Sequence, residues 1–454
     1  MKHNIQLAVI TTLTLLMGAC GIHSNYTTPE LKKKQFVGEQ FTLPDSSIVE
    51  LPSWENVFVD SSLRVLIEKA LEANSDLRIA SLNIAQAESM LQTAKFAFLP
   101  SLGLSPKGEV RKFGDASYAR SYSLPLTTSW EIDVFGKLRY SKEQAKSVLE
   151  QSREYEQMVR TQLIANVAVN YYSLVMFDAQ LEITEESALT LYETLNCMKS
   201  LKEVGLQNDA AVRQAAANYK RIEISLEELR KQISICENNI SLLINQIPQK
   251  IKRNAIGDVD LNADFKKNIS LKALANRPDV RYAELRLRES FYGVSYARAS
   301  LYPTIKLSGS IGWTNNAGVI ANPGDMLFSA LASLTQPIFM AGVNKANLKI
   351  AKAKYEQQLI GFEKSLLRAG NEINDALMDC EIAKRKQVLR SEEMDELRYA
   401  VEVTKDLMKN GQVNYLEVLT AQNALLSSRI NYSVDWFELV KGKISLYKSL
   451  GGHN

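Results

Sequence analysis

The chain has 454 residues, 46% of them hydrophobic, with 54 basic side chains against 51 acidic ones. A net charge of +3 with no basic block offers little to nucleic acid. The three histidines, His3, His23 and His453, lie at the extreme ends, which excludes a histidine general base, a Ser-His-Asp triad or a histidine metal site in the body of the fold. No CxxC pair, HExxH, phosphate loop or GxSxG elbow is present, so neither enzyme chemistry nor a cofactor or metal is expected.

Residues 1–19 read as a signal peptide. Lys2 and His3 precede an apolar run from Leu7 to Met17, too short to span a membrane, and Gly18-Ala19-Cys20 follows. A cysteine directly after Gly18-Ala19 resembles a bacterial lipobox, in which cleavage leaves Cys20 first and acylated. Met17 stands where that motif prefers leucine. The other cysteines, Cys197, Cys236 and Cys380, are odd in number and argue against a disulfide framework.

Residues 20–60 lack periodicity, contain Pro29, Pro44 and Pro52, and read as an extended, lipid-anchored segment. Beyond it the chain is written twice. Asp76 and Asp279 lie 203 residues apart, as do Pro100 and Pro303; Gly205 and Gly411 lie 206 apart, as do Val212 and Val418. This period is far beyond the roughly 20–50 residues of a solenoid unit and marks a duplicated half-protein. The first repeat, 61–250, is expected to hold helices over 61–97, a β-hairpin over 98–135 and long helices over 137–246. A linker covers 251–277. The second repeat, 278–450, is expected to hold a helix over 278–299, a hairpin over 300–340 and long helices over 342–449.

The hairpins rest on a period of two. Tyr122, Leu124, Leu126 and Trp130 alternate with small polar residues, as do Ile305, Leu307, Ile311 and Trp313; shorter alternations occur at Leu102/Leu104 and at Phe328/Ala330/Ala332/Leu334. A membrane β-strand needs about 9–11 such residues. The long helices rest on a period of seven. Tyr219, Leu226, Ile233 and Ile240 interleave with Ile222, Leu229, Cys236 and Leu243; Leu359, Leu366, Ile373 and Cys380 interleave with Phe362, Ala369, Ala376 and Ala383. Each repeat thus supplies an antiparallel helical hairpin, with tips at Val204-Gly205-Leu206 and Asn410-Gly411-Gln412.

Several segments resemble the TolC-type outer-membrane efflux family, in its lipid-anchored, OprM/CusC-like branch. They are Trp54, Phe58 and Asp60; Trp130-Glu131-Ile132-Asp133-Val134-Phe135-Gly136; Val204-Gly205-Leu206; Arg277-Pro278-Asp279-Val280-Arg281; Gln336-Pro337-Ile338-Phe339; and Tyr415-Leu416-Glu417-Val418-Leu419. Four strands per chain cannot close a barrel; two chains would give eight strands and three would give twelve. The residues leave that choice open. The resemblance implies a homotrimer, mainly α, that shares a 12-stranded transmembrane barrel and a helical periplasmic tunnel. It implies a passive outer-membrane duct for small toxic molecules or ions, fed by a periplasmic membrane-fusion adaptor and an inner-membrane pump of the resistance-nodulation-division type. Val204, Gly205, Leu206, Asn410, Gly411 and Gln412 would be its adaptor-docking tips, and Glu417 its periplasmic gate. Val413 and Thr420 depart from members that carry an arginine and a second acid there, which removes the salt-bridge lock of those members. Two other readings stay open: a type I secretion duct for polypeptides, and a non-conducting coiled-coil envelope lipoprotein.

Overall fold

The computed structural model describes residues 25–29, 53–256, 274, 276–315, 325–336 and 341–452. The expected signal peptide, Cys20, most of the 251–277 linker and Pro337-Ile338-Phe339 lie outside the described residues. In chain order the elements are α1 (Trp54–Val57), α2 (Ser61–Ala73), α3 (Ser75–Phe96), β1 (Ser101–Leu104), β2 (Lys107–Arg111), β3 (Ala119–Ile132), α4 (Lys137–Glu203), α5 (Asp209–Leu243), α6 (Pro278–Ala299), β4 (Thr304–Thr314), β5 (Asp325–Thr335), α7 (Val343–Lys409) and α8 (Tyr415–Ser449). The second half reproduces the first, with α6, β4, β5, α7 and α8 matching α3 to α5. Both α4 and α7 have 67 residues, and both α5 and α8 have 35. At about 1.5 Å per residue, α4 and α7 are each roughly 100 Å long.

The chain divides into two compact units. The first comprises Met1–Lys32, Ser81–Glu154 and Arg281–Lys364. It holds one antiparallel sheet in which β3 pairs with both β1 and β2, then with β4, and β4 with β5. The first of the four expected strands is therefore split in two. The register of β1 and β2 on β3 is continuous, from Ser101↔Ser129 through Leu104↔Leu126 to Lys107↔Ser123. Pro106 interrupts the ladder because it has no N–H to donate. Pro125 makes a second gap inside β3. Its partner there is Gly312, where a Cβ would lie 2.2 Å from the Leu124 carbonyl oxygen, so only glycine fits this approach.

The alternation sorts the sheet into two faces. Leu126 pairs with Ile311, which pairs with Phe328; Trp130 pairs with Leu307, and Ile305 with Leu334. These residues share one face. Among the described residues nothing covers it: Leu102 is 74% exposed, Phe328 72% and Leu334 68%. The opposite face carries Ser123, Thr127, Ser129, Lys306, Ser308 and Ser310, but also Leu327 and Leu331 from β5. The step from Ile305 to Trp313 is about 27 Å at roughly 3.4 Å per residue. Among the described residues the outer edges of β1, β2 and β5 are unpaired. Among the described residues, no helix is long and apolar enough to cross a membrane.

The second unit comprises Lys33–Ala80, Tyr155–Val280 and Ser365–Asn454. Its main core joins Trp54, Phe58, Leu63 and Ile67 to Tyr171, Leu174, Ile240 and Ile444. The heptad positions face inward as expected: Ile222, Cys236 and Ile240 in α5, and Leu366, Ala369 and Ile373 in α7, are buried. Helix α5 ends at Leu243, short of the Ile247-Pro248 boundary that proline suggests. Asn245 takes φ +54° and closes the helix first, with the Gln246 N–H donating to the Ser241 carbonyl.

The duplication persists in the joints. Asn74 caps α3, accepting from the Asp76 and Leu77 N–H groups, and its amide donates to the Leu243 carbonyl at 2.9 Å. Arg277, at the matching place before α6, donates to the Ser449 carbonyl at 2.7 Å. Leu243 and Ser449 are themselves equivalent ends of α5 and α8. Arg277 is buried and also holds Asp279 at 2.8 Å and Glu372 at 2.6 Å. Arg277→Ala should therefore cost about 3 kcal/mol, since it strands two carboxylates and a carbonyl. Asn74→Ala should cost about 1 kcal/mol, the value of a cap. Thermal or denaturant unfolding of the detergent-solubilised protein reads the difference.

Candidate gate and docking tips

Both hairpin tips are built the same way. At the end of α4 the Leu206 N–H donates to the Leu201 carbonyl at 2.9 Å and the Gly205 N–H to the Lys202 carbonyl at 3.0 Å. At the end of α7 the Gln412 N–H donates to Leu407 at 2.9 Å and the Gly411 N–H to Met408 at 3.0 Å. This paired arrangement is the Schellman closure, and it requires a left-handed residue. Gly205 has φ +76° and Gly411 φ +71°. Three residues after each glycine, Asn208 caps α5 through the Ala211 N–H, and Asn414 caps α8 through the Glu417 N–H. The asparagines were legible as N-cap residues 206 apart, yet they do not figure among the expected site residues.

The two tips differ in what they display. Val204 is 69% exposed and Leu206 71% exposed, beside an exposed Lys202–Asp209 ion pair. Lys202 holds the Asp209 carboxyl below its usual range. Asn410, Gly411 and Gln412 present an exposed polar tip instead. The stems of both tips meet in a common cluster. Leu191, Leu195 and Met198 of α4 and Ala215 and Ile222 of α5 pack with Tyr415 and Leu419 of α8, flanked by Met408 of α7. Burial raises the Tyr415 phenol above its ordinary range. Arg429 of α8 reaches Glu186 of α4 at 2.6 Å, a further tie between the two hairpins.

Glu417 lies in the first turn of α8 and is exposed. Its side chain has no ion-pair partner among the described residues, and Thr420 turns its hydroxyl to the Leu416 carbonyl at 2.7 Å. Val413 is half-buried. The first turn of a helix is a favourable place for an acidic residue. Among the described residues no three histidine, cysteine or acidic side chains gather as metal ligands.

The description "Outer membrane efflux protein" attaches to a family model that matches residues 66–246 and 270–452. The chain belongs to the outer membrane efflux protein family. The two matches coincide with the two repeats. The cation efflux system protein CusC of Escherichia coli O157:H7 is 27% identical over 97% of this chain and 97% of its own length. The probable outer membrane lipoprotein SilC of Salmonella typhimurium is 26% identical over 99% and 98%. The solvent efflux pump outer membrane protein SrpC of Pseudomonas putida is 27% identical over 96% of each. Among solved structures, CusC has a TM-score of 0.84 at 25% identity, covering 95% of this chain and 99% of that one. The open state of the Neisseria gonorrhoeae MtrE outer membrane channel has a TM-score of 0.83 at 25% identity, covering 94% and 97%. The chain is an outer-membrane efflux channel of the TolC type.

The tip glycines make a local prediction. Gly205→Val places a β-branched residue in left-handed backbone at a cost of about 1–2 kcal/mol. Amide hydrogen exchange should quicken at residues 201–212, while the core around Tyr171 and Ile240 keeps its protection.

Proposed function

We propose that three copies of this chain share one barrel and conduct small toxic molecules or ions passively out of the cell, taking them from a periplasmic adaptor and an inner-membrane pump. The observation that carries this is the sheet. It has one bare apolar face, about the height of the roughly 25 Å apolar band of an outer-membrane barrel, and two unpaired edges. Open edges are not tolerated in hydrocarbon, so the sheet must be closed by further copies. Three copies of four strand positions give twelve. The type I secretion reading shares this geometry and differs only in cargo. The efflux relatives support the small-molecule reading; a pump of the resistance-nodulation-division class is what the sequence resemblance implies. A non-conducting spacer leaves the apolar face unexplained.

Val204, Gly205 and Leu206, with Asn410, Gly411 and Gln412, are the adaptor-docking tips in this proposal. Their support is exposure: Val204 and Leu206 stand uncovered at a helical tip among the described residues. Glu417 is the periplasmic gate residue; three copies near an axis would make an acidic ring that favours cations. Cys20 carries the lipid anchor, secondary in strength to the barrel.

Native mass in detergent, corrected for bound detergent, tests the assembly. A mass near three chains from the outer-membrane fraction is expected, and a monomer released without detergent would sink the proposal. Gly205→Val should give the same mass and yet fail to restore efflux. For the gate, single-channel recording of Glu417→Gln should show reduced cation preference; unchanged selectivity would return Glu417 to an ordinary solvated helix face.

A further inference from the structure

The end of the sheet that joins the helices is electrostatically lopsided. Register places Ser101, Ile132, Thr304 and Thr335 at this one end. Helices α3 and α6 run into it, and α4 and α7 leave it. Helices α3, α5, α6 and α8 each carry an acid in the first turn, at Asp76, Asp209, Asp279 and Glu417. That placement suits the positive end of the helix dipole. The two helices that leave the sheet have no acid in their first turn. They open on cations: Lys137, Arg139, Lys142 and Lys146 in α4, and Lys345, Lys349 and Lys352 in α7.

The acids of this region are already engaged. Glu131 accepts Lys137 at 3.0 Å and lies 3.9 Å from Lys306. Asp133 accepts from the Leu138 and Arg139 N–H groups at 3.0 and 2.9 Å. Glu143 lies 3.8 Å from Lys142. A surplus of exposed cations remains, among them Lys95, Arg139, Lys146, Arg298, Lys345, Lys349, Lys352 and Lys354. None of these side chains makes an ion pair among the described residues. Lys95 and Arg298 sit in the last turns of α3 and α6, again at the sheet end.

The lysines of α7 form the clearest part. The spacing i, i+4, i+7 puts Lys345, Lys349 and Lys352 on one face. Leu348, Tyr355 and Phe362 turn inward on another. Val343 and Ile350, both half or more exposed, occupy a third, apolar face, so the lysine face is not the one that an apolar neighbour would cover. The stripe stops at Glu356. Like charges at this spacing repel one another and oppose the helix dipole, so the arrangement calls for an external anion.

We propose that these cations form a collar that binds the anionic headgroups of phospholipids in the leaflet facing the helices. This rests on the reading of the sheet as the membrane-crossing part. The bare apolar face of the sheet would lie in hydrocarbon, and the collar begins where that face ends. Lys345 to Lys352 rise about 10 Å along the helix, comparable with one Debye length at roughly 0.1 M salt. Lysine stems can lie along apolar surface while their ammonium groups reach phosphate.

The test uses the full-length protein inserted into nanodiscs of phosphatidylcholine with a minority of phosphatidylglycerol. The phosphatidylglycerol kept per chain after transfer to detergent is measured by mass spectrometry. The variant Lys345→Gln/Lys349→Gln/Lys352→Gln should keep at least about fivefold less than the unaltered chain, the effect of one lysine at an anionic surface. The corresponding triple arginine variant should keep as much as the unaltered chain. Equal retention by the glutamine variant would overturn the collar. So would unchanged retention with altered channel selectivity, which would place the lysines on the water path. Loss in the arginine variant would also overturn it, because charge would then not be what is read. If the unaltered chain fails to insert at all, the membrane-crossing reading of the sheet falls first and the collar with it.

Discussion

A strand edge in hydrocarbon has no water to satisfy its amides and carbonyls, and this constraint governs the whole molecule. The sheet of this chain ends in β1 and β2 on one side and β5 on the other, with neither edge paired among the described residues. Its apolar face is complete but bare. On the proposed assembly the chain is one sector of a barrel, and the long helices would hold sectors in register on the water side. Their inward seams are modest in size, with alanine at Ala369, Ala376 and Ala383, which allows neighbouring helices to approach closely.

The duplication explains how one chain supplies two similar staves per sector. Asn74 and Arg277 occupy the same joint and reach equivalent carbonyls, Leu243 and Ser449. They do so with different chemistry. The asparagine also caps its helix, whereas Pro278 opens α6 without needing a donor and Arg277 gathers carboxylates instead. The second repeat thus has a charged joint where the first has a neutral one. A similar divergence appears in mid-helix. Lys386 and Arg390 of α7 hold the buried Asp435 at 2.8 and 3.0 Å, while Gln180, the counterpart of Lys386 in α4, donates to Ser433 at 3.1 Å.

Much of this was legible in the residues because the signals are periodic. The seams of Ile222, Cys236 and Ile240, and of Phe362, Ala369 and Ile373, follow from sevens and are buried as sevens require. The bounds of α6 and the tip glycines could be read from Pro278, Gly205 and Gly411. What was not legible depends on groups distant in sequence or on backbone geometry. The break at Pro106 leaves the register intact, which alternation alone does not reveal. The early end of α5 comes from a left-handed asparagine, a conformation that competes with the more obvious proline signal. The packing of Tyr415 against Met198 and Leu195 needs four helices at once. The proposal of Glu417 as a gate rests on resemblance, since an exposed first-turn glutamate looks like any other.

The two tips share a backbone and differ in side chains. Each is locked by its own hydrogen bonds, so a partner meets surfaces that need no ordering on contact. In a threefold assembly six such tips would stand around the axis, alternating valine and leucine with asparagine and glutamine. To a partner's backbone they would look sixfold; to its side chains they would look threefold. A ring of identical partner subunits would therefore be sorted into two environments, and a shift by a single tip would set oil against amide at every position.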